Sequence, residues 1–293
     1  MKRHKLTFIL MIVIIISILM VPTQITAGDL PPELYIGGFL IGPQAWSFKL
    51  YGFYGAVEKT KEVGCNVMGA SGSQTLTADD KTRFDYKSPP SVWAKAKMKL
   101  EKTGVRILSY GNVYFKNDEA DCRKAFDFAK IMGIPIILSE PDEKAYDIIE
   151  KLVKEYNIKI AIHNHAKNPE KPDYKYWDPN YVLECIKGRD PRIGACADIG
   201  HWMRSGVEPL KALKILEGRI HSCHLKDLNK FGVIDAHDVP YGEGKADVGA
   251  ILKELKRQGF SGNIAIEYEY KWENNIPEIK KCVDFVREWG KDN

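Results

Sequence analysis

The chain lacks several of the devices that would fix its class outright. None of its six cysteines (Cys65, Cys122, Cys185, Cys196, Cys223, Cys282) forms a Cys-x-x-Cys pair, which excludes a zinc ribbon. They are scattered too thinly for a disulfide framework and read as buried free thiols behaving as small hydrophobes. No Gly-x-Gly-x-x-Gly follows the first predicted strand, which argues against an open dinucleotide-binding sheet. No basic stripe accompanies the formal net charge of +4, part of which sits at the extreme N-terminus, so nucleic acid is not an expected partner. There is no linker, no low-complexity tract and no sign of a second domain.

Only one long hydrophobic run is present. Lys2, Arg3, His4 and Lys5 precede an uncharged stretch from Leu6 to Val21, which leads into the small residues around Ala27 and Gly28. The run is shorter than the roughly 20 apolar residues of a membrane span, so residues 1–28 read as an export signal cleaved near Ala27. The alternative is an uncleaved N-terminal anchor. No cysteine directly follows the run, which argues against a lipoprotein anchor. The expected product is an exported protein with no stable membrane insertion. The sequence does not speak to its oligomeric state.

In residues 29–293, short apolar runs alternate with amphipathic stretches at the spacing of βα units. Strands are expected over Tyr35 to Ile41, Asn66 to Ala70, Val105 to Tyr110, Ile134 to Ser139, Ile158 to Ile162, Ile193 to Ala197, Ile220 to Leu225 and Asn263 to Tyr268. Helices are expected over Gly52 to Glu62, Pro90 to Lys102, Glu119 to Met132, Glu143 to Tyr156, Pro179 to Lys187, Val207 to Leu216, Asp247 to Gln258 and Ile276 to Trp289. Eight alternations match the α/β class and a single (β/α)₈ TIM barrel.

Such barrels build their sites at the C-terminal ends of the strands. The fourth strand ends at Glu140-Pro141, the fifth at His163-Asn164-His165 and the sixth at Asp198-Ile199-Gly200-His201-Trp202. The seventh reads His224-Leu225-Lys226-Asp227 and the eighth Glu267-Tyr268-Glu269. Carboxylates and imidazoles closing five successive apolar strands would converge on one pocket, and burying that much charge is prohibitive unless a cation or tight pairing compensates it, of which a metal is the economical explanation. Each residue has a plainer use as well: Glu140 as a helix N-terminal acid, Asp198 as a cap, His224 as a core histidine and Glu267 or Glu269 as a rim charge.

Four of these segments resemble the xylose isomerase-like barrel superfamily, in particular its sugar phosphate isomerase and epimerase branch. Asp198-Ile199-Gly200-His201 resembles that family's DxGH, His224-Leu225-Lys226-Asp227 its HxKD and Glu267-Tyr268-Glu269 its EYE. His237-Asp238-Val239-Pro240-Tyr241-Gly242-Glu243-Gly244 resembles its H-D-V-P-x-G-x-G loop. The resemblance implies one divalent ion (Mn²⁺, Zn²⁺, Co²⁺ or Fe²⁺ before Mg²⁺) held by Glu140, Asp198, His224 and Glu267. It also implies that Glu140 and Glu267 act as acid and base on a carbohydrate through a metal-stabilised enediolate. One departure stands out: many members supply the first glutamate from strand five, where this chain has His163, so either Glu140 or His163 fills that place. His163, His165, His201, Lys226, Asp227, His237, Trp46 and Trp202 are then expected around substrate or behind the ligands. The runner-up is a lyase or dehydratase on keto-sugars using the same site. Asp235-Ala236-His237 also resembles a zinc pair of endonuclease IV, but the second and third strand ends carry no histidine for that enzyme's other zinc sites. A carbohydrate-binding barrel without catalysis is the non-enzymatic alternative.

Overall fold

The computed structural model describes residues 30–293. The expected export segment therefore lies outside the described residues. Among these residues no helix is long and apolar enough to cross a membrane.

Runs rich in isoleucine, valine and alanine form the barrel strands: β2 (Phe39–Pro43), β3 (Val67–Ser71), β4 (Arg106–Val113), β5 (Ile136–Ser139), β6 (Lys159–His163), β7 (Ile193–Asp198), β8 (Ile220–Leu225) and β11 (Asn263–Ile266). All pair in parallel, in the order β2-β11-β8-β7-β6-β5-β4-β3, while the two short strands β9 (Asp227–Leu228) and β10 (Asp238–Val239) pair antiparallel with each other. A parallel bridge from Gln44 to Gly69 brings the β2 end back to β3 and closes the ring. A closed parallel sheet must be covered on its outside. That layer is supplied by α1 (Gly52–Glu62), α2 (Pro90–Thr103), α3 (Glu119–Met132), α4 (Tyr146–Tyr156), α5 (Pro179–Ile186), α7 (Pro209–Ile215), α8 (Val248–Arg257) and α9 (Ile276–Asp292). Their buried faces, such as Ala125, Phe126, Phe128 and Ala129 of α3, pack on the outward residues of the strands. Inside the ring a smaller apolar layer of Ile136, Leu138, Ala161 and Cys196 lies beneath the polar residues that end the same strands.

Three expectations need correction. The first strand is a hairpin, β1 (Tyr35–Ile36) folding back antiparallel on β2, because Gly37-Gly38 supplies a two-residue turn within the apolar run. The third expected strand continues to Val113 and thereby carries Asn112 to the barrel mouth. After β7 comes a short helix, α6 (Ile199–Arg204), where a loop was expected. Its amide ends are met by Asp198, so the residue that closes the strand also starts the helix.

Candidate active site

Side chains alternate along a strand, so Ala161 and His163 share the inner face of β6, and Cys196 and Asp198 that of β7. Register sets the neighbours: His163 pairs with Cys196, and Asp198 with His224. One ligand atom from each of His163, Asp198, His224 and Glu267 falls within 4.8 Å of the other three, and all four residues are buried. His224 Nδ1 lies 3.2 Å from Glu267 Oε2 and 3.3 Å from His163 Nε2, and His163 Nε2 lies 3.4 Å from Asp198 Oδ2.

Asp198 is the most constrained of them. Asn164 clamps its backbone, donating to Asp198 O at 3.0 Å and accepting from Asp198 N at 2.9 Å. Oδ1 accepts from His201 N at 2.8 Å, while Oδ2 is fully buried and accepts no hydrogen bond among the described residues. A buried carboxylate is costly unless a cation answers it, and the nearest here is the Lys226 ammonium, 3.1 Å from Oδ2. Together with two imidazoles and Glu267, this donor set fits a divalent ion.

Lys226 lies behind the cluster, fully buried, its Nζ 3.1 Å from Asp198 Oδ2, 2.6 Å from Glu267 Oε2 and 2.8 Å from Glu269 Oε2. Burial alone would raise the carboxyl groups. The ammonium and His224 nevertheless hold Glu267 well below the usual carboxylate range, while His201 and Lys226 do the same for Asp198. The glycines of the two sequence motifs have a packing reason here. A Cβ at Gly200 would meet Lys226 Cδ at 2.5 Å, and one at Gly244 would meet Asp227 Oδ1 at 2.1 Å. Arg204 extends the network, 3.4 Å from both Glu269 Oε2 and Asp238 Oδ2. Burial pushes the Asp238 carboxyl up to about 7 despite Lys226 and Arg204.

A cavity of about 230 Å³ opens above the cluster, lined by Trp46, His163, His165, His201, His224, Glu267 and Glu269 among others. Glu140 neither joins the four converging atoms nor lines this cavity. It sits 3.5 Å from His163 Nδ1 and in direct contact with His165 Nδ1, and Asn112 Nδ2 donates to it at 3.3 Å. These hydrogen bonds hold its carboxyl down to about 2 against the effect of burial. Of the other expected residues, Trp46 faces the cavity, whereas Trp202 is buried away from it. Asp227 does not orient His224 or Lys226. It accepts from the backbone amides of Gly242, Gly244 and Ala246 at 2.9 to 3.0 Å and pins the loop they belong to. His237 packs on Tyr270, ring centroids 4.3 Å apart, outside the cavity lining. His201, Asp235 and His237 do not form a metal-sized group, so no endonuclease-like second zinc pair is assembled among the described residues.

Sequence reading missed Gln44, whose Nε2 is 3.2 Å from His224 Nε2, along with Asn112 and Tyr114 of the cavity wall. Gln44 and Asn112 sit at the ends of β2 and β4, and as neutral amides they carry no charge or motif that marks them in the sequence.

A model of the xylose isomerase-like TIM barrel matches residues 57–289. The chain belongs to that family. A putative uncharacterised protein from Parabacteroides distasonis is 34% identical, with a TM-score of 0.66 over 85% of this chain and 98% of that one. A D-tagatose 3-epimerase-like protein (18% identical, TM-score 0.65, 86% of this chain and 97% of that one) shares the fold. So does a probable 3-DHS dehydratase of Bacillus anthracis (14%, 0.61, 83% and 97%). An uncharacterised protein of Methanocaldococcus jannaschii is 31% identical over 147 residues, so the match spans under half the length of that curated relative, 45% of it and 48% of this chain.

Proposed function

We propose that this barrel is a divalent-metal-dependent isomerase or epimerase of a small carbohydrate, removing and returning the proton beside a carbonyl. The observation that carries the reading is the buried convergence of His163, Asp198, His224 and Glu267 under a cavity with room for a single sugar. Two imidazoles and two carboxylates suit Mn²⁺, Zn²⁺, Co²⁺ or Fe²⁺ better than Mg²⁺. A bound ion supplies Lewis acidity, polarising the carbonyl and acidifying the neighbouring C–H.

The chain's own groups do the rest. Glu267 faces the cavity, and Lys226 and His224 keep its carboxylate in the ionised form that a proton acceptor must have. His165 also lines the cavity, and its Nδ1 is held by Glu140, which leaves the other ring nitrogen for the opposite face of the substrate. Glu140 therefore acts through His165 and His163, and His163 takes the ligand place that the sequence had left open between the two. Trp46 offers a flat apolar wall for a sugar ring. Among the described residues no lysine or arginine lines the cavity, which favours an unphosphorylated sugar. Export, inferred from the basic start and the apolar run Leu6 to Val21, agrees with that substrate class.

The test is solvent exchange. Ketoses, aldoses and 3-keto-glycosides incubated with the Mn²⁺-loaded protein in D₂O should include one class that gains deuterium at carbon. Glu267→Gln should slow that exchange by roughly a hundred- to ten-thousandfold. A loaded protein that exchanges no carbon-bound proton in any of them would remove the proposal. A lyase would form the same enolate but gain deuterium only where the enolate is reprotonated before the β-group leaves, so release of the leaving group is read beside the exchange.

A further inference from the structure

One buried group at the site has no part in that account. Cys196 lies two residues before Asp198 on the inner face of β7, is 1% exposed, and pairs in register with His163. Its Sγ belongs to a second compact group, His163, Cys196 and His224, whose ligand atoms all fall within 4.8 Å of one another. The two imidazoles are common to both groups. The carboxylates of Asp198 and Glu267 complete one, and the thiol completes the other. An ion drawn to oxygen and one drawn to sulfur would therefore find different third ligands on the same pair of histidines.

We propose that Cys196 is a metal ligand for thiophilic divalent ions, so that Zn²⁺ or Co²⁺ is bound through His163, His224 and the Cys196 thiolate while Mn²⁺ rests on the carboxylates. The inference depends on the metal-site reading above and assigns it a selectivity. Thiolate donors favour Zn²⁺ and Co²⁺ over Mn²⁺ and Mg²⁺, which keep to oxygen. Binding forms a metal–sulfur bond and releases the thiol proton to solvent, so uptake of Zn²⁺ frees a proton that uptake of Mn²⁺ does not. The other buried thiol on an adjacent strand, Cys223 of β8, belongs to the outer core and is not in the group, which makes it an internal control.

Cobalt reports the bond directly. The full chain titrated with Co²⁺ should develop visible ligand-field bands together with a near-ultraviolet sulfur-to-cobalt charge-transfer band. Cys196→Ser should lose the charge-transfer band but keep the visible ones, and Cys223→Ser should keep both. In metal competition, Cys196→Ser should lower the preference for Zn²⁺ over Mn²⁺ by roughly ten- to a hundredfold. Visible bands without a charge-transfer band in the unaltered protein would overturn the thiolate assignment while leaving the metal site standing. Failure of the unaltered protein to bind Co²⁺ at all would overturn both. The decisive spectrum is taken on the unaltered protein, so a folding defect in a variant cannot mask the answer.

Discussion

At the residue scale, the divergence between Glu140 and His163 decides what the site is. Both sit at the barrel mouth, but His163 offers Nε2 to the converging group and Nδ1 to the Glu140 side, so one imidazole separates Glu140 from the ion position. Glu140→Gln should therefore keep about one bound ion with affinity lowered by roughly ten- to a hundredfold, as expected when an orienting partner is lost. His163→Ala should lose the ion. Equilibrium dialysis of both variants checks this, and the reverse pattern would return Glu140 to the ligand set. The motifs identified Asp198, His224 and Glu267 as groups that meet, because each falls at or within one residue of a strand end, where the barrel opens. They left the fourth place open because strand five carries His163 where many family members have a glutamate, while Glu140 lies just beyond the last residue of β5.

At the element scale, the loop after β8 is held by one side chain. Asp227 accepts three backbone N–H bonds from Gly242, Gly244 and Ala246, which no other side chain replaces. Asp227→Ala should strand these amides and cost about 3 kcal/mol, read in urea unfolding, with new proteolytic cleavage in residues 240–246. Unchanged stability and protease resistance would show that the loop holds itself. Gly200→Ala pushes a methyl against the Lys226 stem, which is itself buried and ion-paired, so about 1 to 3 kcal/mol of destabilisation is expected. These roles were half legible. The motifs marked the residues, but the contact of Gly200, in the first turn of α6, with Lys226, just past the end of β8, is a tertiary fact that spacing does not carry. The Gly37-Gly38 hairpin was legible as turn chemistry and was overridden by the apolar run on either side of it.

At the scale of the whole molecule, the alternation of apolar runs and amphipathic stretches was enough to name the barrel, since eight parallel strands with an outer helical layer admit few other closures. Buried ionisable groups away from the site make the fold sensitive to acid. His221 is buried, with Nε2 2.9 Å from Pro191 O, and burial together with Lys159 holds its pKa down from 6.5 to about 4. Folding therefore excludes a proton that the unfolded chain accepts. The stability due to this neutral imidazole is whole above about pH 6.5 and declines as pH falls to about 4, by about 3 kcal/mol in all. His221→Gln should flatten that part of the pH–stability curve, and an unaltered slope would locate the acid sensitivity elsewhere.

Everything catalytic in this account depends on one ion bound where strands β6, β7, β8 and β11 end, so metal content is the most direct measurement. Elemental analysis of the purified, Mn²⁺-loaded protein after gel filtration should find about one divalent ion per chain, falling below about half an equivalent in Asp198→Asn and in His224→Ala. Full metal content in both folded variants, or none in the unaltered protein, would contradict it.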